Sequence, residues 1–320
     1  MSGASDAPDL QRSNRWRELR EGTYGGLFAA CALASVLTTV AIVLTLFVDA
    51  SSFFAEYSIV EFLTGYDWSA RNGVFGVVPL VFGTLVVTLT SALVALPIGT
   101  LTAIYLSEYA TPRMRSILKP MLEILAGVPT VVYGYFALVY VTPLLRATLF
   151  PSISTFNALS ASLMVGIMII PMVSSISEDA MSSVPDDLRQ AGYGLGATKY
   201  EVSTGIVVPA AVSGIASSYI LAISRAIGET MIVVVAMGAQ ARLPPVREGL
   251  FGLPFLHPGD VLLEPGQTMT VAMVQIGQSD LTGGTLAYDS LFAIGLTLFV
   301  ITLVMNILSD IIAERYREEY

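Results

Sequence analysis

Apolar residues in this chain come in long uncharged runs. They show neither the two-residue alternation of half-buried strands nor a narrow helical stripe. The runs cover 23–48, 74–107, 124–145, 147–177, 202–224 and 290–309, the fifth continuing through Arg225 and Glu229 to about Met237. A helix needs about 20 mainly apolar residues to cross a bilayer, so the pattern predicts an all-α polytopic membrane protein with six transmembrane helices. A membrane β-barrel would show weak alternating segments instead. The first run follows a polar stretch, is too long for the apolar part of a cleaved leader, and is expected to span.

The organisation that follows is a cytoplasmic N-terminal tail at 1–22, a first transmembrane helix at 23–48 and an external loop at 49–74. A membrane core at 75–312, with a polar cytoplasmic loop at 177–209, and a C-terminal tail at 313–320 complete it. Basic residues set the orientation. Eleven of the 16 lie on the side of the termini, among them Arg12, Arg15, Arg115, Lys119, Arg189, Lys199 and Arg317. Arg71, Arg146, Arg242 and Arg247 lie on the other side, so both termini are expected in the cytoplasm. The long external stretch 239–288 carries five prolines, and its apolar part, 268–278, is expected as a re-entrant or interfacial helix.

Composition sharpens the exclusions. Charged residues make up 13% of the chain and hydrophobic ones 54%, against roughly 25% charged in soluble domains. That little charge leaves a soluble globule with large apolar patches, and the apolar excess is the reverse of a disordered composition. A net charge of -9 excludes the basic footprint of a nucleic-acid binder. The single histidine, His257, excludes a His-Glu-x-x-His zinc site and, in its external loop, argues against an intramembrane hydrolase. Neither lysine follows a glycine as a phosphate-cradling loop requires, since Leu118 precedes Lys119 and Thr198 precedes Lys199. If ATP drives this protein, another chain binds it.

The loop 177–209 is the most informative polar segment. Pro185, Asp186 and Asp187 suit a first helical turn. Gly192, Gly194 and Gly196 weaken and end that helix, and Thr198–Glu201 has the form of a capping box that starts another. Gln190-Ala191-Gly192, then Gly196 after three intervening residues, then Ile206-Val207-Val208-Pro209 after nine more, resembles the cytoplasmic coupling loop of ATP-binding-cassette importer permeases. There the first triplet is Glu-Ala-Ala, so Gln190 and Gly192 depart from it. The resemblance implies the type I importer permease fold. It also implies that Asp187, Gln190, Ala191, Gly192, Gly196 and Pro209 belong to a surface docked in a separate ATPase dimer, which binds the ATP and magnesium. No cofactor is expected in this chain.

Arg225 lies within the fifth run, where arginine near mid-bilayer costs at least about 2.5–3.5 kcal/mol on insertion scales. Glu229 follows four residues on. In a continuous helix the two would share a face and pair, with Arg225 positioning an anion in a polar pathway. The stretch Arg225–Thr230 resembles phosphate-importer permeases, as do Gly127–Gly134 and Ala191–Thr198. Met231 after Glu229-Thr230 looks like the PstC-type chain, whereas the paired PstA-type more often continues Ala-Pro. This implies a phosphate permease working beside a second related permease, an ATPase dimer and an external phosphate-binding protein in the cytoplasmic membrane. The paired PstA-type role, or another oxyanion such as sulfate or molybdate, is the alternative.

Overall fold

The computed structural model describes residues 15–248, 254–280 and 284–315. Residues 1–14, with Arg12, and 316–320, with Arg317, lie outside them. The chain forms two units, Met1–Asp49 and Ala50–Tyr320. The described part of the first is the N-terminal portion of helix α1 (Arg15–Glu56). Thr38, Thr39 and Thr45 bond back along the helix, as where Thr38 Oγ1 donates to the Ala34 carbonyl at 2.8 Å.

The second unit opens with the end of α1, then α2 (Ile59–Thr64) and a two-residue-per-strand hairpin, β1 (Trp68–Ser69) and β2 (Val74–Phe75), which pairs Trp68 with Phe75. The loop expected from residue 49 therefore starts as helix, because nothing from Asp49 to Glu56 breaks it. Helix α3 (Val78–Ile104) continues into a π-helical turn, Tyr105–Tyr109. Helix α4 (Pro112–Gly127) is followed by α5 (Thr130–Phe136), a π turn and α6 (Thr142–Thr148). Pro129, with no N–H to donate, stands at the break before α5. The third span is thus Thr130–Thr148 rather than 124–145.

The fourth span is α7 (Ala158–Ser182), capped by the Asn157 side chain, which accepts from the Ser160 amide at 2.8 Å. Then come α8 (Asp186–Gly194), α9 (Lys199–Val202), a π turn, α10 (Val208–Ala210), α11 (Val212–Ile227) and α12 (Met231–Ala236). A hairpin, β3 (Val246–Glu248) with β4 (Pro254–Leu256), leads to α13 (Pro258–Leu262), α14 (Met269–Gly277) and α15 (Leu286–Arg315). Five described helices are long and apolar enough to cross a membrane. A sixth span results if the pair Lys199–Ala210 and Val212–Ile227, bent by 69°, counts as one.

Helix α7 is the centre of the core. Val165, Ile169 and Val173 are fully buried, and α3 lies along it at small-residue contacts. A Cβ on Gly99 would meet Val173 Cβ at 2.7 Å, and one on Gly166 would meet the Ser91 carbonyl at 3.2 Å. A second cluster gathers Phe53, Phe62, Phe75, Leu80, Met269 and Ile294. Its rings meet edge to face, Phe53 and Phe75 at 5.3 Å and 89°. Burial, with Glu61 beside it, holds the nearby Tyr57 phenol above its ordinary pKa. A third cluster, with Met181, Val202, Val207 and Ile215, lies under the α8–α9 loop.

Helix α14 occupies the apolar stretch 268–278 and packs into the protein. Its residues Met269, Val271 and Ala272 are buried. The Met269 amide donates to Thr84 Oγ1 at 3.1 Å, and Thr270 Oγ1 donates to the Glu229 carbonyl at 3.0 Å. Gly83 lets the Gln267 backbone approach α3 closely, since a Cβ there would occupy the place of that carbonyl.

Candidate functional site

The α8–α9 loop has the local form its sequence dictates. Pro185 stands immediately before α8, and Asp186 and Asp187 occupy its first turn. Gly196 makes the turn at φ +86°, a left-handed conformation open to glycine. Both halves of the capping box form: Glu201 N donates to Thr198 Oγ1 at 3.3 Å and Thr198 N to Glu201 Oε2 at 2.7 Å. Gly192 is buried, and a Cβ on it would meet Ile206 Cδ1 at 2.6 Å. Asp187, Gln190, Ala191 and Gly196 are exposed on the same loop. Leu195 projects from it 91% exposed, with Tyr193 and Tyr200 also exposed. An apolar knob of this kind has no folding benefit within the chain. Pro209 stands apart, in α10, immediately before the 69° bend.

Arg189 ties this loop to the membrane helices. Its guanidinium donates to the Val184 carbonyl at 2.6 Å, the Met181 carbonyl at 2.8 Å and Glu108 Oε1 at 3.0 Å. Glu108, in the π turn after α3, is almost completely buried. Movement of α8 is thereby linked to the ends of α3 and α7.

One turn further along α7, Glu178 is fully buried and holds two cations from α4. Arg115 Nη2 pairs with Glu178 Oε1, and Lys119 Nζ lies 2.7 Å from Oε2. Ser182 Oγ donates to the same carboxylate at 3.2 Å. Lys119, Glu123, Glu178 and Arg225 line one cavity of about 390 Å³, whose apolar wall includes Met168 and Pro171.

The geometry expected for Arg225 and Glu229 is corrected here. Helix α11 ends at Ile227, and the Gly228 amide turns back to the Ser224 carbonyl at 3.2 Å. The two residues therefore do not share a helical face, and among the described residues no ion pair joins them. Glu229 is buried, and its Oε1 accepts from the Ile232 amide at 3.1 Å, capping α12. Arg225 is exposed into the cavity beside Glu178 instead. Gly228 and Thr230, a weak helix former beside a break, were the available local signal. The partnership of Glu178 with Arg115 and Lys119 had none, because it joins residues some 60 positions apart.

Among the described residues, no group of three or more His, Cys, Asp or Glu is placed to hold a metal ion.

Comparison with known proteins bears on the family and the fold. A family model described as "Binding-protein-dependent transport system inner membrane component" matches residues 95–318. A probable ABC transporter permease protein, YqgH of Bacillus subtilis, is 32% identical over 311 residues, covering 96% of this chain and 95% of its own. The phosphate transport system permease protein PstC of Mesorhizobium japonicum is 27% identical over 328 residues, 95% of each chain. A chain in the crystal structure of a bacterial ABC transporter involved in the import of alginate superposes with a TM-score of 0.64 at 14% identity. That match covers 94% of this chain and 100% of the other.

Proposed function

This chain belongs to the binding-protein-dependent transport system inner membrane component family, and from that premise we propose that it is the PstC-type permease subunit of an ATP-driven importer of inorganic phosphate. Relatives named as phosphate permeases of the PstC type align over most of the chain. The observation that carries the substrate reading is Arg225, a guanidinium at the end of a membrane helix that opens into a cavity of about 390 Å³. Its planar fork of donors matches a tetrahedral oxyanion. Glu178 and Glu123 on the same cavity wall keep the local field from trapping the ion.

The partners follow from the family and the loop. Hydrolysis of ATP, with its magnesium, belongs to a separate ATPase dimer, and this chain needs no cofactor of its own. The exposed Leu195, Tyr193 and Tyr200, with Asp187, Gln190, Ala191 and Gly196 beside them, would seat in a groove of that ATPase. Gly192 would let the loop pack flat on Ile206, and Pro209 would hold the bend that carries its motion into α11. An external phosphate-binding protein would deliver substrate, and a second related permease would complete the pathway. The chain would lie in the cytoplasmic membrane with both termini inside.

Uptake of radiolabelled phosphate by the co-expressed importer tests this reading. Arg225→Ala should reduce uptake to background while the variant still co-purifies with its ATPase. Full uptake by that variant, or wild-type uptake of sulfate or molybdate in place of phosphate, would overturn it.

A further inference from the structure

We infer that a second cavity, at the end of the molecule opposite α8, is a receiving subsite for the tetrahedral oxyanion on its way to Arg225. It rests on the importer reading above and places a binding step where that reading has none. The cavity measures about 540 Å³ and lies between the β1–β2 hairpin and α14. Ser69, Arg71, Gln267, Gln275, Gln278 and Ser279 supply its polar wall, and among the described residues no carboxylate lines it. The chain is acidic overall, at -9, so a cavity of amides, hydroxyls and one guanidinium is a local exception that favours an anion.

Arg71 is placed differently from Arg146 and Arg242. Arg146 donates to the Ile153 carbonyl at 2.9 Å, and Arg242 lies 3.7 Å from Glu264. Among the described residues Arg71 has neither an ion pair nor a hydrogen bond, although it lines the cavity. Facing it is a built amide pair. Gln267, only 4% exposed, donates from Nε2 to Gln275 Oε1 at 2.6 Å. That bond orients Gln275 by its Oε1 and leaves its Nε2 as a donor group that an oxyanion can use.

The cavity also has a polar continuation. Beyond Gln267, the buried hydroxyls of Thr268 and Thr270 lie 3.0 Å apart, and Thr270 reaches the Glu229 carbonyl. That carbonyl belongs to the break between α11 and α12, two residues past the helix that carries Arg225. The amide cavity, the threonine pair and the helix break thus form one sequence of polar groups that leads from the cavity toward the segment carrying Arg225.

The test uses the complete importer in proteoliposomes, with substrate-loaded binding protein at saturating concentration. Arg71→Gln should lower the maximal rate of phosphate uptake about tenfold, the scale of one lost charge-assisted contact. Arg71→Lys should recover to within about threefold of wild type, because it keeps the charge and loses the fork. Docking of the loaded binding protein, followed by co-sedimentation, should stay within about twofold for both variants, since the subsite acts after docking. An unchanged maximal rate for Arg71→Gln, or a loss of docking that matches the loss of rate, would overturn the inference. Wild-type importer that carries sulfate or molybdate with the same Arg71→Gln loss would support the subsite while removing phosphate as the substrate. Wild-type importer that carries none of the three would remove both.

Discussion

Glu178→Gln keeps the shape of the side chain on α7 and removes its charge. The buried carboxylate faces Arg115 and Lys119, whose side chains are 40% and 33% exposed. Removing one partner of a fully buried pair costs about 3–5 kcal/mol, because the remaining charge is stranded. Here both cations reach water, where an ion pair is worth about 0–1 kcal/mol. The balance puts Glu178→Gln at about 2 kcal/mol, between those limits. Lys119→Met should cost less, about 1 kcal/mol, because Glu178 keeps Arg115 and Ser182. In a chain of this size 1 kcal/mol moves Tm by about 2 °C, so the two variants should melt roughly 4 °C and 2 °C below wild type. Thermal unfolding of the purified complex in detergent measures both, and the double variant should be non-additive, since the two groups touch. A Glu178→Gln protein that melts with wild type, or a Lys119→Met protein that is less stable than it, would refute the assignment of Glu178 as the buried anchor of this cluster.

Gly196→Val forces a β-branched residue into φ +86°, at a strain of about 1–3 kcal/mol, and should distort the Leu195 knob enough to separate the chain from its ATPase. Co-purification at wild-type yield would count against docking there. Arg189→Met removes the links from α8 to Val184, Met181 and Glu108. It should lower uptake several-fold while ATPase binding persists, and uptake equal to wild type would show that the loop's motion reaches the membrane by another route.

Much of the architecture was legible along the chain, for a physical reason. In a bilayer the helix is the one open-ended structure that satisfies its own backbone, so each long apolar run announces a span without reference to its neighbours. The α8–α9 loop was legible for a similar reason. Capping by Thr198 and Glu201, the first-turn acids Asp186 and Asp187 and the left-handed turn at Gly196 are interactions between residues a few positions apart. Breaks were less legible. Pro129 and Gly228 lie inside long apolar runs that read as continuous spans, and here they stand at breaks between helices.

The sequence by itself therefore determined the class of protein, the approximate spans and the local form of the α8–α9 loop. The tertiary structure alone decided what Arg225 faces. It placed Glu229 beyond the helix end as a cap for α12, and it set Arg225 on a cavity with Glu178, held by Arg115 and Lys119 from another helix. It also brought Arg71 and Gln275, some 200 residues apart in the chain, to one polar cavity. Helical periodicity fixes which residues share a face within one helix. Which faces meet depends on close packing of small residues such as Gly99 and Gly166 between helices distant in sequence, and a single pattern of apolar positions does not encode that choice.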